Sequence, residues 1–174
     1  MRPFTRAGET ITAVFEPQEV DLLRELSDDL VGYLGTREQR TGDPAMLRLL
    51  PDAYRDDPES ASDFRRFTED GLIERKIANA RVMLESLPRG RAGHEDVNGD
   101  RDADGDPAVA VEIDLRAAGA WMRSLADHRL ILAARLGIVD ERTSLRRADK
   151  QLVALYDWLA FVQDSLVRAL DAPA

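Results

Sequence analysis

The chain contains no cysteine. That absence excludes disulfide staples, thiol nucleophiles, thiolate metal sites and thiol-based redox switching. Histidine is almost as scarce: there are two, His94 and His128, and neither has a second histidine at ligand spacing, so a zinc site is not expected. No apolar run approaches the ~20 residues that cross a bilayer. The opening residues, MRPFTRAGETITAVFE, lack the apolar core of a secretory signal. A cytoplasmic protein with no membrane segment is the expectation. Both glycine-rich phosphate loops, G-x-x-x-x-G-K-[ST] and G-x-G-x-x-G, are missing. Positive charge is in deficit, with 24 Lys and Arg against 33 Asp and Glu and a net charge of −9. A field of that sign repels phosphate backbones and disfavours direct nucleic-acid binding. The best basic stretch, SLRRADK at 144–150, is short and runs into apolar core residues, which suits a recognition helix poorly.

What is present describes a mainly α protein. At 174 residues, 44% hydrophobic and 33% charged, the chain fits one soluble domain with a true core, residues 1–174. Its organising stretch is DLRAAGAWMRSLADHRLILAARL at 114–136. Asp114 can cap a helix by accepting from the free N–H groups of the first turn. Gly137 stands where a helix commonly turns left-handed and stops. Leu125, Leu132 and Leu136 mark one stripe, and Leu130, Ile131, Ala133 and Ala134 make the second half apolar on most sides. Such a helix is packed from several directions. The sequence therefore predicts a helical bundle around it.

A small three-stranded antiparallel sheet is also predicted. Strands at about 4–6 and 11–15 flank the Ala7-Gly8-Glu9 turn, and a lone hairpin is marginal in water. The alternation of Val109, Val111 and Ile113 offers a third strand at 108–113. Pro17 opens a first helix that ends near Gly35, and Asp43-Pro44 and Asp57-Pro58 are cap-plus-N1 pairs for two more. In the helical region from Pro58 to Leu87 the apolar stripe shifts phase across Gly71, which predicts a kink or break there. A last helix from about Ser144 or Arg147 to Leu170 carries Leu152, Leu155, Leu159, Val162 and Leu166 as its core stripe. Between them, PRGRAGHEDVNGDRDADGDP at 88–107 has no periodicity and reads as a disordered Asp-rich linker.

The residues that could carry chemistry are few. Asp100, Asp102, Asp104 and Asp106 fit the first half of a calcium-binding loop, but position twelve is Val111 and no helix precedes them. They are weak calcium candidates only, and a solvated disordered linker is the preferred reading because the motif lacks its structural context. His128 lies one turn beyond Ser124 and beside Asp127, but residues this close on one helix do not converge as a triad, so a packed histidine is expected. No catalytic residue and no cofactor are assigned. Arg123, Arg129 and Arg135 lie on a helix too apolar to solvate all three, and Asp63, Asp70 and Glu74 are the expected partners. Arg55, Arg65 and Arg66 form a second basic cluster interleaved with acids. Trp121, Tyr156, Trp158 and Phe161 sit on the two C-terminal helices, and their combined stripe is wider than one neighbour covers. Together with His128, Arg129 and the cluster of Arg55, Arg65 and Arg66 they are the candidate interaction residues, and a homodimer on the last helix is the expected use of the surplus aromatic stripe.

Four blocks in order, RLLPDAYRDDP at 48–58, DFRRFTED at 63–70, WMRSLADHRLILAARLGI at 121–138 and LYDWLAFVQDSLVRAL at 155–170, carry a resemblance. The chain resembles an uncharacterised actinobacterial family known as domain of unknown function two thousand and seventeen. The resemblance implies a mostly helical cytoplasmic protein, encoded near a Clp-protease adaptor and cysteine-metabolism genes, with some members labelled as oxidative-stress transcription regulators. It supplies no catalytic residue. The expected function is a non-enzymatic regulator, transcription-linked and acting through protein–protein contacts. An adaptor in Clp-type proteolysis is the first alternative and an enzyme of unknown reaction the second. A thiol-based sensor cannot operate in this chain.

Overall fold

A computed structural model describes residues 1–36, 42–51, 58–89, 108–140 and 142–172, with the side chains of 58–68 excepted. Among these residues the order is β1 (Arg2–Ala7), β2 (Thr10–Phe15), α1 (Pro17–Gly35), α2 (Pro44–Leu49), α3 (Pro58–Ser86), β3 (Val109–Asp114), α4 (Leu115–Arg135) and α5 (Lys150–Asp171). The protein is mainly α with one small antiparallel sheet, as its sequence predicts.

The sheet order is β1-β2-β3, with β2 in the middle and antiparallel to both neighbours. Gly8 turns the hairpin at φ 63°. Phe4, Ile11, Ala13, Phe15, Val111 and Ile113 point to one buried face, the period-two pattern of a half-buried sheet. That face closes onto α4 through Trp121 and Leu125, and onto α5 through Leu159, Val162 and Leu166. A second apolar cluster joins Leu30, Tyr33 and Leu34 of α1 to Met46 and Leu49 of α2 and Ile73 of α3.

Local chemistry sets the helix ends. Glu16 and Glu19 form a capping box ahead of Pro17. Asp114 accepts from Ala117 N at 2.6 Å, so the strand β3 passes straight into α4. At the other end Gly137 adopts φ 68°, Ile138 N reaches back to Ala133 O and Gly137 N to Ala134 O, a Schellman closure. The last helix begins at Lys150 rather than 144 or 147, because Asp149 accepts from Gln151 N and Leu152 N and fixes the N-cap there.

Of the kink or break expected near Gly71, the break is absent: α3 runs through Gly71 as one helix, Pro58–Ser86. A phase shift in the apolar stripe changes which neighbour a helix meets and does not by itself sever backbone hydrogen bonds. A helical glycine costs only about 1 kcal/mol, well within what flanking turns sustain.

Candidate functional site

Polar side chains enter the interior where the two apolar clusters meet. On α1, Ser27 separates Leu23 of the first cluster from Leu30 of the second and is buried with its hydroxyl on Leu23 O. On α4 the same level holds Ser124, Asp127 and His128, all buried. From α3, Lys76 brings its ammonium to 2.5 Å from Asp127 Oδ1. The carboxylate's other oxygen, Oδ2, is sealed from solvent with no partner among the described residues. Burial pushes the Asp127 carboxyl up from its ordinary value, and the Lys76 hydrogen bond and charge only partly offset it. His128 contacts Ser124 Oγ through Nε2 at 3.4 Å. Its ring borders a groove of about 340 Å³ between α1 and α4, with Asp28, Asp29 and Gly32 on the α1 side and Ile131 and Arg135 on the α4 side.

Among the described residues the three α4 arginines are not paired with α3 acids; the side chain of Asp63, one of the expected partners, lies outside them. Arg123 folds back onto Gly119 O of its own helix at 2.9 Å. Arg135 is exposed at the groove. Arg129 turns to α5, where it donates to Gln163 Oε1 at 2.7 Å and lies 5.1 Å from the Tyr156 ring centroid. Its Nε is sealed without an acceptor, and no carboxylate pairs with it among the described residues. The expectation had the polarity reversed: α4 supplies the acid, Asp127, and α3 supplies the cation, Lys76. Sequence reasoning missed Lys76, although its signal was visible. It stands three residues after Ile73 and four before Ala80, on the buried stripe of α3.

The aromatic candidates do not form one face. Trp121 is fully buried against Phe4 and Phe15, with its indole N–H on Ser86 Oγ at 2.7 Å, so it cannot meet a partner. His128 is withdrawn from the outer surface too, at 3% exposure. Trp158 is half-buried on the α1 flank, donating to Glu19 Oε1 at 3.1 Å. Tyr156 lies on the α4 flank under Arg129. Phe161, 46% exposed, is five positions from Tyr156 and hence about 140° around the helix from it. The surplus apolar width of α5 is largely absorbed within the subunit, because Leu152, Leu155, Tyr156 and Trp158 all pack on the first cluster. Arg55, Asp100, Asp102, Asp104 and Asp106 lie outside the described residues, as do the side chains of Arg65 and Arg66. Among the described residues, no group of three or more His, Cys, Asp or Glu side chains could hold a metal ion. No helix there is long and apolar enough to cross a membrane.

A family model described as a domain of unknown function, DUF2017, matches residues 1–170. The chain belongs to the DUF2017 family. It is similar to a protein named oxidative stress regulator AosR in Mycobacterium tuberculosis and Mycobacterium bovis, at 27% identity over 95% of this chain and 84% of the relative. It is likewise similar to a putative oxidative stress regulator AosR of Mycobacterium leprae, at 28% identity over 97% of this chain and 86% of the relative. No solved structure matches.

The interior polar level of this DUF2017 chain has a titration signature. Burial lowers the His128 pKa from 6.5 to about 4. Between those values the unfolded chain binds a proton that the folded chain refuses, so stability falls as the pH drops from 6.5 toward 4. At ~1.4 kcal/mol per pKa unit the loss from this group approaches about 3 kcal/mol. Asp127 acts in the opposite sense. Its raised pKa means that the folded state holds a proton above pH 3.8, so its contribution is present in acid and is lost as pH rises through the folded value. It offsets part of the His128 loss where the two windows overlap. Proton NMR should show the His128 ring neutral well below pH 6.5, and thermal melts should drop over the same range. A His128 resonance titrating near 6.5 would contradict the burial.

Proposed function

We propose that this chain is a non-enzymatic regulatory protein, linked to transcription and acting in the cytoplasm through protein–protein contacts. The similarity to proteins named as stress regulators runs over nearly the whole chain, which supports the regulatory part. The observation that carries the contact part is Arg129. A guanidinium half-buried beside Tyr156, paired with no carboxylate among the described residues and with only one bond from each terminal nitrogen, keeps Nη donors and a charge that a partner's acid would complete. Arginine and tyrosine are the side chains that most often anchor interfaces. Leu130, 38% exposed, adds apolar surface next to it in sequence.

The names of the relatives refer to oxidative stress, but a chain without cysteine cannot read oxidants through a thiol. Its regulation is therefore assigned to contacts and not to its own redox chemistry. A second copy packed along α4 and α5 would meet the same arginine with an exposed α5 acid such as Asp157, and sedimentation velocity distinguishes that dimer from a monomer.

Affinity capture with the tagged full chain tests the reading. RNA polymerase components should be recovered by the native chain and lost with Arg129→Ala, while the variant keeps its melting temperature to within a few degrees. Recovery of Clp subunits instead would assign the chain to proteolysis. Equal recovery by native chain and variant would remove Arg129 from the contact.

A further inference from the structure

We propose that the groove between α1 and α4 is a binding site for a small aliphatic amino acid, held as its zwitterion. This goes beyond the regulatory reading and does not depend on it. The volume, about 340 Å³, lies at the small end of the ~300–1,000 Å³ typical of ligand sites. Three features make it a built recess.

The first is His128. It is 3% exposed yet borders the groove. Its Nε2 is engaged by Ser124 Oγ, and the serine hydroxyl has no other acceptor among the described residues, so the serine proton points at Nε2. By that assignment the ring proton sits on Nδ1. Nδ1 has no protein partner among the described residues, so with Nε2 engaged it is the ring nitrogen left for a ligand in the groove that His128 borders. A neutral imidazole thus offers one N–H donor at the base of the recess.

The second is Gly32. It lies within α1, where glycine is the least favourable residue after proline. A Cβ built at Gly32 meets nothing within 4 Å, and the residue borders the groove. Gly32 is exposed at the rim, and a large side chain placed there has open space to occupy beside the groove.

The third is the charge arrangement. Asp28 and Asp29 stand on the α1 side and Arg135 on the α4 side, with Leu30 and Ile131 giving apolar walls. A simple anion would be drawn to Arg135 and repelled by the two aspartates, and a simple cation would meet the reverse. An ammonium and a carboxylate on one carbon satisfy both sides, the carboxylate taking Arg135 and the His128 N–H, the ammonium taking the aspartates. An aliphatic side chain then covers the leucine and isoleucine walls.

The test uses L-leucine as the probe, on the full chain, by isothermal titration and by amide shifts in 26–33 and 128–135. Saturable binding at millimolar ligand is expected, with leucinamide and isocaproate each about tenfold weaker, as the loss of one charge-assisted contact implies. Arg135→Ala, at an exposed position, should weaken leucine by a similar factor. Gly32→Leu should abolish binding while the melting temperature holds or rises, because leucine is the better helix former. Absence of saturable shifts at those residues overturns the proposal. So does isocaproate or leucinamide binding as well as leucine, or undiminished binding to Gly32→Leu.

Discussion

Lys76→Ala should destabilise the protein by about 3–5 kcal/mol at neutral pH, the cost of leaving a buried charge without its partner. Lys76 Nζ sits 2.5 Å from Asp127 Oδ1, and the two side chains are 15% and 5% exposed. This is not a surface ion pair, for which under 1 kcal/mol would be expected. Removing the ammonium strips Oδ1 of its donor, and Oδ2 already has none. The carboxylate must then take up a proton or let α3 and α4 separate. Domains of ordinary stability hold about 5–15 kcal/mol in all, so the loss is a large share. Two further measurements identify the cause. The penalty should shrink as the pH falls, because a protonated Asp127 no longer needs the lysine. The double variant Lys76→Met/Asp127→Leu should recover most of the stability, since well-packed apolar replacements of a buried pair are neutral or better. Urea denaturation of the three variants at two pH values checks all of this. A Lys76→Ala loss below about 0.5 kcal/mol would mean that water reaches the carboxylate.

That pair also marks the boundary of what the sequence makes legible. Features written in neighbouring residues are readable: Asp114 and Asp43 cap α4 and α2, Pro17 starts α1, and Gly137 ends α4. The sheet is readable as well, because Ile11, Ala13 and Phe15 alternate and a lone hairpin requires a third strand, which Val111 and Ile113 supply. The Lys76–Asp127 contact spans 51 residues and depends on how α3 and α4 register in space, which no local pattern states. Even so, a lysine between Ile73 and Ala80 and an aspartate in an apolar helix each needed a buried partner, and pairing them was open to inference. The groove was less accessible. Its aspartates look like an ordinary solvated face of α1, and only the packing of α1 beside α4 brings them opposite Arg135. The aromatic residues of α5 show a different failure. Tyr156 and Phe161 both widen the apolar stripe of α5, but the helical period separates their directions. At Gly71 the change of apolar phase leaves the helix unbroken.

Trp121→Ala should cost a further large amount, about 3–5 kcal/mol, through the cavity it leaves. The indole is fully enclosed between α4 and the sheet. Its ring meets Phe4 edge-on at 5.7 Å and 84°, and Phe15 at 6.2 Å and 35°, while Phe4 and Phe15 meet each other at 6.0 Å and 72°. Edge-to-face pairs of this kind add about 0.5–1.5 kcal/mol beyond the area they bury. A double-mutant cycle between Trp121→Ala and Phe4→Leu should therefore give a coupling in that range. The polar edge is separable: the indole N–H donates to Ser86 Oγ, which itself donates to Met83 O at 2.8 Å. Trp121→Phe keeps most of the ring packing and loses that donor, so it should cost about 1–2 kcal/mol, the worth of one neutral hydrogen bond plus a small void. If Trp121→Phe were as damaging as Trp121→Ala, the hydrogen bond from α4 to Ser86 at the end of α3, and not the packing on the sheet, would be the dominant contribution of this side chain. Because the side chain is sealed inside, Trp121→Phe should leave partner capture and leucine binding unchanged per folded molecule. In that respect it differs from Arg129→Ala and Arg135→Ala, whose groups stand where a second molecule can reach them.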